Sequence, residues 1–303
     1  MLAKLSLFAL LSAAVLATPL RDARAPAAAL DERAVAVTAG DLANFEYYVQ
    51  VVAATSCNSE PGAPITCSAD ACPDLQANDA KIVTTFSGYT TGIEGLVALD
   101  PVRQLIIVVI LGSINVRNWI TDFVFVFEDC DLVEDCKAHA GFLTAWKEVK
   151  GEILDAVNAT KTANPSYTVV AVGHSLGGAV ITIAGAYLRL HGYPLDIYTF
   201  GSPRVGNEAF ATFVTAQSGA EYRLTHVDDP IPRQPPLLFG YRHTSPEYWL
   251  STGNATTINY SLDEIKVCEG FSNTDCNAGT TGLDTEAHVY YLRATRACKP
   301  DKG

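Results

Sequence analysis

The segment Gly173-His174-Ser175-Leu176-Gly177 carries the plainest chemical potential in this chain. A serine hydroxyl is a poor nucleophile until a base takes its proton. A serine with glycine two positions away on each side suits a sharp strand-to-helix turn that lifts Oγ above a sheet. The glycines answer a steric need: the turn strains the serine backbone, and any nearby side chain meets a neighbouring strand or helix. The flanks agree, with the apolar run Thr168–Val172 of strand type before the turn and the Ala- and Gly-rich helical stretch Gly177–Leu190 after it. At a helix N-terminus, positive partial charge favours a developing anion. A serine that only caps a helix is the bland alternative, and the strand–turn–helix context weighs against it. His174 adjoins Ser175 in a sharp turn, where neighbouring side chains point apart, and reads as a packed neighbour.

An elbow serine needs an acid and a base downstream, in that order. The downstream histidines are His191, His226, His243 and His288. His191 ends a helix before Gly192, His226 lies in a strand, and His243 sits in a polar loop and rivals His288, which precedes an apolar Tyr-Tyr-Leu segment. Asp228 and Asp229 both follow a strand end and precede Pro230, where the acid belongs; at least one of them is an ordinary turn residue. Position alone leaves both pairs of candidates open.

The elements that must hold these residues follow from periodicity. Residues 41–54 repeat apolar side chains at helical spacing, and 55–74 form a Gly-, Pro- and Cys-containing loop. Residues 94–100 and 104–111 form a strand pair around Asp100-Pro101, the second buried on both faces. A helix over 143–157 and strands at 196–200 and 222–227 complete the pattern. Alternating strands and helices predict an α/β fold with a mostly parallel sheet covered on both faces. We read one domain, residues 34–303.

With 303 residues and a formal net charge of −12, the chain can bury a large core and lacks the basic surface that nucleic acid or an anionic membrane requires. Lys4, the apolar run Leu5–Leu16 and small residues ending at Ala17 read as a signal peptide, residues 1–17. Residues 18–33, rich in Ala, Arg and Pro, read as a propeptide ending at Arg33, with a disordered tail as the alternative. No other segment reaches membrane-spanning length without charges, so no integral membrane segment is expected. The expected location is extracellular. Eight cysteines then suggest disulfides. Close pairs favour Cys67 with Cys72, Cys130 with Cys136 and Cys268 with Cys276, leaving Cys57 with Cys298; spacing alone does not settle this. Zinc competes for the cysteines, but no Cys-x-x-Cys is present. Sequons at Asn158, Asn254 and Asn259 fit secretion, whereas Asn164 is followed by Pro.

From Leu42 to Cys298 the chain resembles the secreted class 3 lipases of filamentous fungi. The likeness is carried by Gly112-Ser113, Asn118-Trp119-Ile120, Gly173–Gly178, Ser202–Asn207, Phe239-Gly240-Tyr241, Ser245–Trp249 and Ala287-His288. The resemblance implies an α/β-hydrolase fold with a short helical lid. It implies Ser175 as nucleophile, Asp229 as acid through Thr225-His226-x-x-Asp229, and His288 as base. It also implies an oxyanion hole from the N–H groups of Ser113 and Leu176. It supports the 57–298, 67–72 and 130–136 pairs, and the 268–276 pair for part of the family only. No metal or cofactor is expected; the expected partner is a lipid substrate at an oil–water interface, and the expected state a monomer. Ile110-Leu111-Gly112-Ser113 stands where many relatives carry Phe-Arg-Gly-Ser, and the strongly apolar Phe123–Phe127 follows the lid. The lid candidate, residues 114–121, carries Ile114, Val116, Trp119 and Ile120. A lid for a soluble phenolic ester would be more polar, so hydrolysis of tri- or diacylglycerol is favoured over feruloyl esterase activity. A non-catalytic lipid-binding protein on this scaffold would have lost the serine, acid or base, and all three positions are filled.

Overall fold

The computed structural model describes residues 36–112 and 124–298. The signal and propeptide segments, Ser113 and the lid residues Ile114, Val116, Trp119 and Ile120 lie outside the described residues.

The first helix, α1 (Ala39–Thr55), starts at Thr38, whose hydroxyl accepts from Asp41 N–H while the Asp41 carboxylate accepts from the Thr38 backbone. This reciprocal cap satisfies N–H groups that a helix start leaves open. A short helix, α2 (Pro73–Ala77), closes the cysteine-bearing loop. The main sheet has eight strands in the order β1 (Lys81–Ser87), β2 (Glu94–Asp100), β3 (Leu105–Ile110), β6 (Thr168–His174), β7 (Asp196–Phe200), β8 (Glu221–His226), β9 (Glu247–Leu250) and β10 (Ile265–Cys268). Pairings from β3 through β9 are parallel, and β1, β2 and β10 join antiparallel at the margins. A small hairpin of β4 (Phe127–Asp129) and β5 (Lys137–His139) leads into α3 (Ala140–Ala163). Among the described residues, two further α-helices are α4 (Leu176–Leu190) and α5 (Glu208–Ala216).

The apolar run of β3 divides its side chains between two cores. Ile106, Val108 and Ile110 pack with Trp146 and Ile153 of α3 and Ile181 of α4. Ile107 and Val109 pack on the other face with Phe45, Val49 and Val52 of α1. Strand alternation makes such a run necessary when helices cover both faces. Small residues let α4 lie close: a Cβ on Gly185 would sit 2.3 Å from Ile197 Cδ1. On the α1 face the rings of Phe45, Tyr48, Tyr198, Tyr222 and Tyr248 pack together.

Two buried ion pairs cross the far half of the sheet. Arg189 donates to Glu221 at 2.7 Å, and Arg223 to Glu247 at 3.0 Å. Arg189 also donates to the carbonyls of Leu195, Val214 and Ala220, which fastens the end of α4 to the chain entering β7 and β8. In each pair one buried charge is met by an opposite one.

Several elements exceed the sequence expectation. The helix predicted over 143–157 spans Ala140–Ala163, and part of the predicted 55–74 loop begins α2. β1 carries two threonines and lies at the sheet margin, so its pattern is weak. β9 begins with Glu247, a residue that reads as loop until its buried partner Arg223 is seen.

Candidate active site

The carboxyl ends of the parallel strands form one edge of the sheet, and the chemically suggestive residues gather there. Ser175 stands between β6 and α4 with φ +56° and ψ −131°, a strained conformation for a residue with a side chain. Its N–H donates to the Phe200 carbonyl at the end of β7, 2.9 Å away. The flanking glycines have measurable reasons. A Cβ on Gly173 would lie 2.5 Å from the Gly177 carbonyl oxygen, and one on Gly177 would lie 2.1 Å from the Ile110 carbonyl oxygen. Beyond β3, Gly112 passes so close that its Cβ would lie 2.9 Å from Ser175 Cβ. Leu176 opens α4, where a first-turn N–H has no acceptor within the helix.

The turn after β8 separates the two aspartates. Asp229 is fully buried, whereas Asp228 is partly exposed and its carbonyl accepts from Arg233. Asp229 Oδ1 accepts from Ile231 N–H at 2.9 Å. Its Oδ2 faces His288 Nδ1 at 2.8 Å and accepts from the Tyr291 hydroxyl at 2.5 Å. Asn277 Nδ2 donates to the carbonyls of Val227 and Asp229, pinning the turn from outside.

The four histidines now differ sharply. His191 is exposed at the end of α4. His226 spends Nδ1 on the Ala287 carbonyl and faces the Tyr260 hydroxyl with Nε2. His243, the sequence-level rival, is not in an open polar loop. It is buried with Nε2 against the Pro232 carbonyl, and burial beside Arg223 and Arg204 holds its protonation well below the usual range. His288 is fully buried and pairs with Asp229 through Nδ1, while Nε2 has no hydrogen-bond partner among the described residues. Ser175 Oγ is likewise buried and without a partner among them. His174 Nε2 lies 2.7 Å from the His288 carbonyl oxygen, and its ring lies 4.6 Å from that of His288. It thereby links the residue before Ser175 to the His288 turn. Unpaired buried polar groups are rare in folded proteins, and among the described residues Ser175 Oγ and His288 Nε2 belong to that small set.

Two residues here were not singled out from sequence. Gly201 leaves β7 at φ +61°, and Tyr291 follows His288 in the segment noted only as apolar. All eight cysteines are joined as 57–298, 67–72, 130–136 and 268–276. Asn158, Asn254 and Asn259 are exposed.

A strained serine at a strand–helix turn on a mostly parallel sheet, with a buried His–Asp pair along the same edge, defines the α/β-hydrolase class. The class 3 lipase model matches residues 107–239. A secreted mono- and diacylglycerol lipase of Fusarium solani is 54% identical over 273 residues, covering 89% of this chain and 82% of that protein. A secreted mono- and diacylglycerol lipase of Penicillium cyclopium is 40% identical, covering 84% of this chain and 86% of its own. The crystal structure of a mono- and diacylglycerol lipase from Aspergillus oryzae superposes with a TM-score of 0.80 at 38% identity, covering 87% of this chain and 100% of that one. The chain belongs to the class 3 lipase family and is a carboxylic ester hydrolase.

Proposed function

We propose that this protein is a secreted lipase that hydrolyses mono- and diacylglycerol esters through an acyl-enzyme formed on Ser175. The observation that carries the reading is the pair of buried atoms without a partner among the described residues, Ser175 Oγ and His288 Nε2, beside the His288–Asp229 pair. As Oγ attacks the acyl carbonyl carbon, His288 Nε2 takes its proton and Asp229 balances the imidazolium charge. The carbonyl oxygen becomes an oxyanion held by the N–H groups of Leu176 and Ser113, an arrangement that contributes several kcal/mol in such enzymes. Collapse breaks the acyl carbon–oxygen bond, and His288 returns its proton to the departing glycerol oxygen. Water then repeats the sequence on the acyl-enzyme and releases the fatty acid.

Relatives on both sides of the comparison are named mono- and diacylglycerol lipases, and the two sequence relatives are named secreted, which supports this substrate class and an extracellular location. An exposed apolar ridge supports work at a lipid–water interface. Val124 is 68%, Val126 52%, Leu238 91% and Phe239 53% exposed, and the Phe125 and Phe239 rings meet at 5.3 Å. Contiguous exposed apolar surface is unusual without a partner. The ridge is braced from below: Arg204 donates to the Pro235 carbonyl and Arg242 to the Leu237 carbonyl. With a net charge of −12, an uncharged lipid surface suits it better than an anionic one.

An initial-rate panel of monoolein, diolein, triolein, p-nitrophenyl butyrate and methyl ferulate tests the proposal. Monoolein or diolein should exceed methyl ferulate in kcat/KM by at least about tenfold, a margin that differing pocket contacts readily supply. A lead for methyl ferulate would replace lipase by feruloyl esterase.

A further inference from the structure

The acid of the site serves two donors through one oxygen. Asp229 Oδ2 faces His288 Nδ1 at 2.8 Å and the Tyr291 hydroxyl at 2.5 Å, while Oδ1 accepts the Ile231 N–H. Asp229, His288 and Tyr291 are all fully buried, so water does not compete for these lone pairs. Burial and the neighbouring Asp229 charge hold the Tyr291 phenol well above its usual range, which keeps it a neutral donor.

Tyr291 is held firmly in that role. Its ring stands edge-on to His174 and Phe200, at 6.0 and 6.1 Å, and tilts against His226 at 5.6 Å. Its N–H donates to the Arg293 carbonyl at 2.9 Å. Gly201 leaves space for the hydroxyl: a Cβ there would lie 2.9 Å from the Tyr291 oxygen. A tyrosine needed only as apolar filler would gain nothing from a buried hydroxyl aimed at a carboxylate, since such groups cost free energy unless paired.

We propose that Tyr291 is a positioning residue that fixes Asp229 Oδ2 toward His288 and, by sharing that oxygen, restrains how strongly Asp229 stabilises the imidazolium. The inference rests on the Ser175–His288–Asp229 reading above. Two consequences follow when the hydroxyl is removed. The carboxylate loses one of its anchors, so the acid–base pair is less well aligned and kcat falls. The carboxylate charge on Oδ2 then acts on His288 alone, so the imidazolium persists to higher pH and the acid limb of the rate profile moves up. A hydrogen bond to the charged form of a carboxylate spreads its charge, which is the physical origin of the second effect. Other groups around the pair stay in place in this comparison: His174 beside the ring, His226 at the Ala287 carbonyl, and Asp228, Arg233, Glu247 and Asp284 nearby. The shift therefore reports the hydroxyl.

The test is kcat/KM against pH on p-nitrophenyl butyrate for the wild-type enzyme and Tyr291→Phe. The acid-limb midpoint should rise by roughly 0.5–1 pH unit, with a several-fold fall in plateau kcat. A packing role alone would lower the melting temperature and leave the midpoint unmoved, and that result overturns the proposal. If Tyr291→Phe does not fold, 3,5-difluorotyrosine placed at 291 keeps the shape and makes the phenol a stronger donor. The midpoint should then fall, and an unchanged midpoint overturns the proposal equally. His288→Ala separates the two levels. Retained activity in that variant refutes the triad, whereas an inactive His288→Ala with an unmoved Tyr291 profile refutes only the role of Tyr291.

Discussion

Gly201 leaves so little space that its lack of a side chain becomes part of the site. A methyl group there would lie 2.9 Å from both His288 Nδ1 and the Tyr291 hydroxyl, and φ at +61° strains any other residue. Gly201→Ala should therefore cost about 1–3 kcal/mol in stability and displace the ring that pairs with Asp229. We expect kcat on p-nitrophenyl butyrate to fall at least ~10²-fold with a smaller change in KM, because a displaced base costs mainly the transition state. A kcat within twofold of wild type would show that the ring does not depend on this gap. The glycines around Ser175 were legible because their spacing is local and their clashes are with the adjoining strand and helix. The need at Gly201 comes from His288 and Tyr291, far along the chain, and no local pattern announces it. The choice between His243 and His288 was open for the same reason: only folding shows that Pro232 occupies one and Asp229 the other.

At the scale of elements, a histidine marks the start of α3. His139 Nδ1 accepts from Gly141 N–H at 3.1 Å, and Nε2 lies 2.8 Å from the Val124 carbonyl oxygen. Burial pushes this imidazole down to about 4, partly opposed by the bond to Val124. Its protonation in the folded state is thus depressed relative to the unfolded chain. The unfolded state takes up the proton first as pH falls, so the stability this group contributes is complete above about 6.5 and drains away toward about 4. His226 and His243 are shifted in the same direction by burial and add to the trend. The melting temperature should decrease between about pH 7 and pH 5, with a loss of at most about 2 kcal/mol in stability from His139 alone. His139→Asn keeps a capping side chain without the titration, so its profile by calorimetry should be flatter; a profile as steep as wild type would remove His139 from the account. Legibility at this scale followed burial. The two-faced runs of β3 and β6 and the small-residue helix α4 were readable, because packing on both sides demands unbroken apolar sequence. β9 and β10 were not: they are four residues each, and β9 hides its character behind Glu247, which needs Arg223 to be intelligible.

Across the whole molecule, the sheet places its parallel strands so that Ser175, the Asp229 turn and Gly112 lie on one edge. The Cys57–Cys298 bridge spans 241 residues and ties the end of α1 to the end of the described chain. Spacing suggested that bridge without settling it, since a pairing between distant cysteines depends on where both ends of the domain finish. The class of fold was legible because strands alternate with helices along the chain, and the strained turn at Ser175 because it rests on one local strand–turn–helix pattern. The braced ridge at Val124–Val126 and Leu238–Phe239 was only half legible: its apolar character shows in sequence, its exposure does not. The central claim is that ester hydrolysis runs through a covalent bond to Ser175, and a phosphonate ester bearing a p-nitrophenyl leaving group tests it most directly, because it traps the nucleophile irreversibly. Intact mass and peptide mapping should show one adduct per chain on Ser175, appearing in step with the loss of diolein hydrolysis, while Ser175→Ala takes no adduct and loses at least ~10⁴-fold in rate with its fold intact. An adduct on another residue, or a Ser175→Ala protein retaining more than about 5% of its diolein hydrolysis, would contradict the account.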